Sequence, residues 1–242
     1  MQRRWNMKCF VQIPYIVFCA IVFCQFISFA AISETEHLLY AVQINGKSYE
    51  EKMIVHHTKD LMQYEACGNY TDPRIYSPGG RHCWDVVSTS DGQPLLTEYQ
   101  VGPNRMQMTF NNNGLFEMKG IWDGKNCYQK KVFNNNVYIE LTGMVRNIDL
   151  TRTTPIQFDL VRIAKFPLIE THCLYFKVLD DVVIDVPAGH FKCKKLLLTA
   201  SGMKGFFFKA YFYITTDKRQ LIVRVDNIPI GGLTQLVQLG PG

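Results

Sequence analysis

The chain carries six histidines, His37, His56, His57, His82, His172 and His190, and three aspartates in turn-like settings, Asp180, Asp181 and Asp217. Such side chains move protons near neutral pH or ligate metals. Their placement argues against both. His56 and His57 are neighbours on a strand-like run, so their side chains leave opposite faces and cannot share one ion. The aspartates fall at breaks expected to be hairpin tips, where Asp is favoured because its carboxylate bonds nearby backbone. No GxSxG elbow, HExxH helix, GxGxxG loop or P-loop occurs, and Ser77-Pro78-Gly79-Gly80 reads as a turn. The expectation is a protein with no catalytic residues, no resident metal and no cofactor.

Cysteine usage suits an oxidising compartment. Cys9, Cys19 and Cys24 lie in the N-terminal segment, leaving Cys67, Cys83, Cys127, Cys173 and Cys193. Cys67 and Cys83 bracket the turn-rich "GNYTDPRIYSPGGRH" and form the best disulfide candidate, a loop whose closure is worth roughly 3 kcal/mol. The odd count leaves at least one thiol free. The absence of a CxxC pair removes support for a thioredoxin-like role or a cysteine-based zinc site.

That compartment agrees with residues 1–33. Arg3, Arg4 and Lys8 precede an uncharged apolar stretch ending in Ser28-Phe29-Ala30, the pattern of an export signal cut after Ala30 or Ser33. The same stretch is long enough to serve as an uncleaved anchor, which would be the chain's sole attachment to a membrane. Removing it takes the formal charge from +5 to about +2, and the remaining chain has no Lys/Arg run to track phosphates. Nucleic acid is not an expected partner. The localisation expected is the periplasm or cell envelope.

With 47% hydrophobic and 13% aromatic residues, the remainder suits one β-rich domain over residues 34–242. "HLLYAVQI", Asn45-Gly46 and "SYEEKMIVHH" predict a hairpin with a type I′ turn. Residues 65–94, rich in Gly, Pro, Asp and Ser, read as a loop excursion. Short strand-like runs then recur from Leu95 to Phe133 and again from Cys173 to Leu239, separated by Asn-, Gly- and Asp-bearing breaks. Such spacing predicts an antiparallel meander rather than βαβ units. One short helix is predicted over residues 154–166: Thr154 caps it, Pro155 and Gln157 complete the N-terminal signature, and Ile156, Leu160 and Ile163 form one apolar stripe. The fold class expected is all-β with one short helix, a strongly curved antiparallel sheet forming a half-barrel or incomplete barrel.

In "GFFFKAYFYIT" Phe206, Phe208, Ala210, Phe212 and Ile214 share one face. Together with Leu174 and Phe176, the residues Phe206, Phe208 and Phe212 are the candidate lining of a concave face that either is filled core or holds an apolar ligand. The break "DVPAGHFKCKK" reads as a three-residue hairpin loop, Pro187-Ala188-Gly189, ending in a G1 bulge.

The order F-D-L-V-R, Y-F-K-V, V-P-A-G-H-F-x-C-K-K-L, F-Y-I-T-x-D, I-V-R-V and a closing I-G-G-x-T resembles the bacterial envelope proteins of domain-of-unknown-function family 3108. The resemblance is strongest over residues 149–239, and Val186 to Phe191 with Cys193 is its most specific piece. It implies an exported all-β protein with a curved sheet, somewhat like the half-barrels of periplasmic lipoprotein carriers, and implies no activity. The functional expectation is a non-enzymatic envelope protein binding a hydrophobic ligand or lipid. The alternative is a structural partner of another envelope protein, with no small-molecule ligand.

Overall fold

A computed structural model describes residues 34–70, 80–111, 113–133, 136–165, 168–200, 208–228 and 231–240. The expected export segment and Phe206 lie outside the described residues. The N-terminal strands are β1 (Glu34–Ile44), β2 (Lys47–His57), β3 (Leu61–Tyr70), β4 (Gly80–Thr89), β5 (Pro94–Val101), β6 (Asn104–Phe110), β7 (Leu115–Trp122) and β8 (Lys125–Val132). A short strand β9 (Val137–Tyr138) and one turn of helix, α1 (Thr142–Val145), lead into β10 (Ile156–Lys165), β11 (Leu168–Val186), β12 (Gly189–Ala200), β13 (Lys209–Thr215), β14 (Ile222–Asn227) and β15 (Gly232–Gly240).

Among the described residues these make one 15-stranded sheet in the order β8-β7-β6-β5-β4-β3-β2-β1-β15-β14-β13-β12-β11-β10-β9. Neighbours are antiparallel except the short β9–β10 pair. Two meanders are joined at the centre, where β1 pairs with β15. Consecutive strands β8 and β9 therefore sit at opposite edges. The link between them, residues 133–136, reaches at most ~18 Å when extended, so the sheet has to roll until its edges meet.

They meet by overlapping. Tyr138 and Phe158 pack in one core cluster with α1, Leu174, Phe176, Leu196 and Phe212. Val137 and Val161 pack in another, with Val101, Met106, Met108, Phe116 and Phe133. Alternate strand residues point to opposite faces, so the β9–β10 edge is buried on both sides, tucked beneath the β5–β8 lap. Lys131 on β8 crosses the overlap and donates to Thr171 Oγ1 at 3.0 Å. The result is barrel-like without a closed ladder.

This burial explains why the helix expected at residues 154–166 is a strand. A strand covered on both faces loses the period-two alternation that would mark it, and its apolar residues also satisfy a helical spacing. The actual helix, α1, is too short for its sequence to carry a period.

Three local expectations are corrected. Residues 65–94 are mostly β3 and β4, in ladder from Tyr70↔Gly80 to Leu61↔Thr89, with Gln63, Glu65 and Asn69 in the outward phase and His82 and Ser88 in the inward one. Asp180 and Asp181 are no hairpin tip. They lie within β11, where a bulge sets two residues, Leu179 and Asp180, against Lys195 alone. The hairpin beyond has a two-residue loop, Pro187-Ala188, because Gly189 remains paired with Val186 at φ 134°, far from the left-handed helical well a G1 bulge requires. The first hairpin is as read: Asn45 and Gly46 have φ 52° and 76° between paired Ile44 and Lys47.

Candidate functional site

β1 shows how the roll acquires a polar interior. Glu36, Leu38, Tyr40, Val42 and Ile44 alternate inward, so the strand carries a carboxylate into the core in the phase of its apolar stripe. Arg146, just after α1, answers it: Nη2 donates to both Glu36 oxygens at 2.9 and 2.7 Å, and Nε and Nη2 donate to the Arg219 carbonyl. Both partners are about 5% exposed. His57 Nε2 lies 3.5 Å from Glu36 on the other side. Burial pushes the Glu36 carboxyl up, but the His57 hydrogen bond and the Arg146 guanidinium outweigh it and hold the group below its ordinary range.

α1 is seated by the same neighbourhood. All four of its residues are buried, with Met144 and Val145 in the core. Gly92, at φ 84°, comes so close that a Cβ there would lie 2.5 Å from the Gly143 carbonyl oxygen, so only glycine fits. Before the helix, Glu140 accepts from the Thr142 backbone N–H at 2.6 Å and from the Thr142 hydroxyl. Its Oε2 has no donor among the described residues. Desolvation therefore dominates and pushes the carboxyl up to about 7, with the Glu51 charge adding to the rise. Glu51, paired to the Tyr70 hydroxyl, is also pushed up by burial. Farther along the interior, His82 and the Tyr99 hydroxyl are 2.6 Å apart, and the Trp84 and Tyr99 rings stack at 4.0 Å.

Two clefts among those formed by the described residues are large enough for a small ligand. The first, about 370 Å³, lies at the overlap seam and is lined by Leu95, Phe110, Leu115, Phe116, Phe133 and Val137, with Gln93, Asn111, Asn113 and Asn136 also at its walls. The second, about 560 Å³, lies on β2, β3 and β4, where Lys52, Asn69 and Arg81 border it beside Cys67.

Neither cleft contains the aromatic group singled out in the sequence. Leu174, Phe176 and Phe212 are 3%, 1% and 8% exposed and pack on one another and on α1, and Phe208 packs against the same cluster. The Phe158, Phe176 and Phe212 rings succeed one another at 5.4 and 5.3 Å. Carboxylate–histidine pairs also stay outside both clefts. Glu36–His57 joins a buried carboxylate to a half-buried imidazole beside Arg146, whereas Asp185–His190 and Glu170–His172 are on the surface. Asp217 is turn chemistry, accepting from Thr215 and Arg219.

Cys67 and Cys83 face each other across the β3–β4 ladder and are joined by a disulfide, Cα atoms 4.2 Å apart. Among the described residues the one cluster of metal-type ligands is Glu65 with these two cysteines, whose sulfurs are already committed to each other. Cys127, Cys173 and Cys193 are free thiols. Burial, helped by Asp217, pushes the Cys193 thiol up to about 11, which keeps it unreactive. Replacing both Cys67 and Cys83 by serine is expected to lower unfolding stability by about 3 kcal/mol. Urea melts of the oxidised chain, of the double variant and of the wild type in reductant check this, and the last two should coincide.

The fold and its sites define a barrel-like protein made from a single overlapping antiparallel sheet. Among solved structures the chain is similar to the beta-barrel-like protein of domain of unknown function DUF1849 from Brucella abortus. The TM-score is 0.51 at 8% identity, over 86% of this chain and 98% of that one. At that identity the likeness is one of fold. A protein with YmcC-like fold from Bacteroides fragilis covers 86% of this chain and 96% of its own at 13% identity, with TM-score 0.28. A DUF1329 family protein from Desulfovibrio piger covers 93% and 91% at 9% identity, with TM-score 0.29. At those scores neither informs on this chain. No protein-family model and no curated protein matches the sequence.

Proposed function

We propose that this chain is a non-enzymatic protein of the cell envelope that holds a hydrophobic ligand, such as a lipid acyl chain, at the seam where its sheet overlaps itself. The observation that carries the reading is the 370 Å³ cleft, walled by Leu95, Phe110, Leu115, Phe116, Phe133 and Val137 beside asparagine and glutamine amides. Its size falls within the range of about 300–1,000 Å³ typical of small-molecule sites, and a lining shared about evenly between apolar side chains and polar groups suits a chain ending in a neutral polar group. Leu174, Phe176 and Phe212 serve this site from behind, as the packed core that keeps the inner lap rigid. The export-like segment at residues 1–33 and the resemblance to family 3108 support the envelope assignment.

Fluorescence titration of the mature chain with a labelled fatty acid tests the reading. Leu115→Trp, which fills the cleft, should weaken binding about tenfold while leaving the melting temperature near wild type. Equal binding by wild type and variant, or no binding by the wild type and no lipid in its native mass spectrum, would overturn it.

A further inference from the structure

The outer lap of the roll ends in an open edge. Among the described residues β8 pairs with β7 alone, and the ladder is regular throughout, from Leu115↔Val132 to Trp122↔Lys125. The Phe133 N–H donates to the Gly114 carbonyl at 2.9 Å, which sets the phase of the ladder. In an antiparallel pair the N–H and C=O of one residue point to the same side and alternate along the strand. Asn126, Tyr128, Lys130 and Val132 therefore aim their backbone groups away from β7.

The side chains around this edge are not those of an ordinary solvated strand. Tyr128 and Val132 are 63% and 64% exposed, and Ile121 on β7 is 48% exposed. The register sets Ile121 beside Asn126 and Lys119 beside Tyr128, so Ile121, Tyr128 and Val132 share one face. Four lysines, Lys119, Lys125, Lys130 and Lys131, accompany two acids, Asp123 in the hairpin turn and Glu117, which is engaged with Lys130 at 2.9 Å. Lysines on an edge disfavour pairing with a copy of the same edge, because like charges would stand opposite one another. They favour an acidic strand.

We infer that β8 is a docking edge for an extended, acidic segment of a different protein, which adds to the sheet as a further strand. The segment's backbone bonds to Asn126, Tyr128, Lys130 and Val132. Its side chains alternate between the two faces, the carboxylates meeting Lys125 and Lys131, whose ammonium also donates to Thr171, on one face and the apolar residues covering Ile121, Tyr128 and Val132 on the other. This inference uses no residue of the seam cleft's apolar wall except through the fold they share, and it stands whether or not the cleft binds lipid.

The test uses the mature chain and two labelled ten-residue peptides that alternate valine with glutamate or valine with lysine. Fluorescence anisotropy at low salt should show the glutamate peptide binding at least about tenfold more tightly than the lysine peptide, a preference that shrinks as salt is added. Amide exchange in the complex should slow at Asn126, Tyr128, Lys130 and Val132. Tyr128→Pro removes an outward N–H without disturbing the β7 ladder, so it should abolish binding with melting unchanged. Lys125→Glu combined with Lys131→Glu, a second variant, should reverse the peptide preference. Equal affinity for the two peptides, no protection along β8, or a chain that dimerises through this edge instead would each overturn the inference.

Discussion

Replacing Arg146 with methionine is expected to cost about 3–5 kcal/mol of unfolding stability, the largest effect of any single change considered for this protein. The loss does not come from the pair itself, since desolvating two ions largely offsets their attraction. It comes from Glu36, which sits at 4% exposure on β1 and would keep only His57 as a partner. Arg146 also ties two parts of the roll together, because it bonds the Arg219 carbonyl in the β13–β14 turn as well as Glu36. Urea unfolding of Arg146→Met and of the double variant Glu36→Leu with Arg146→Met separates these contributions. The double variant should recover most of the loss. If Arg146→Met unfolds at the wild-type midpoint, the buried pair does not hold α1 in place.

The second large effect is a stability that falls as pH rises through neutrality. Glu140 has its folded pKa raised to about 7 from an ordinary value near 4.5, so the folded state retains a proton that the unfolded chain has released. A raised group contributes its stability fully below the unfolded value and loses it as pH climbs through the folded one. Between about pH 4.5 and pH 8 the loss should be roughly 2–3 kcal/mol. Glu51 is shifted the same way and adds to it. Glu36 has the opposite sign: its pKa is lowered, so its contribution is present above the ordinary carboxylate value and lost on acidification below it. Stability should therefore peak in mildly acidic solution. Denaturant melts at pH 4, 5.5 and 8 check the peak, and Glu140→Gln should flatten its alkaline side. A flat profile in the wild type would mean that Glu140 is solvated in the folded chain.

Each effect joins one residue that strand patterning exposes, Glu36 or Glu51, to one that it does not, Arg146 or Glu140. Glu36 stands in the same phase as Leu38, Tyr40, Val42 and Ile44, and Glu51 in the phase of Tyr49, Met53 and Val55. A charge in an apolar phase is a signal of an interior polar group, visible once each strand's inward parity is assigned. Arg146 and Glu140 had no such signal. They flank a single helical turn, and only the path of the chain between β9 and β10 brings them beside β1.

The sequence by itself determined the all-β character, the meander order and the type I′ turn at Asn45-Gly46, because each depends on neighbours a few residues apart. It also marked Cys67 and Cys83, which the β3–β4 ladder sets directly opposite. The face shared by Phe208, Ala210, Phe212 and Ile214 follows from strand parity alone, and it was right about direction. What lay opposite that face was a different matter. Tertiary structure decided that the sheet overlaps itself, that residues 156–165 are a strand with Phe158 and Val161 buried on opposite faces, and that the seam opens a cleft away from Leu174, Phe176 and Phe212. The physical reason is that overlap is set by a short link between opposite edges of a long sheet. Local propensity records what a residue prefers on one face of a strand, and it holds no record of which distant strand will come to cover the other.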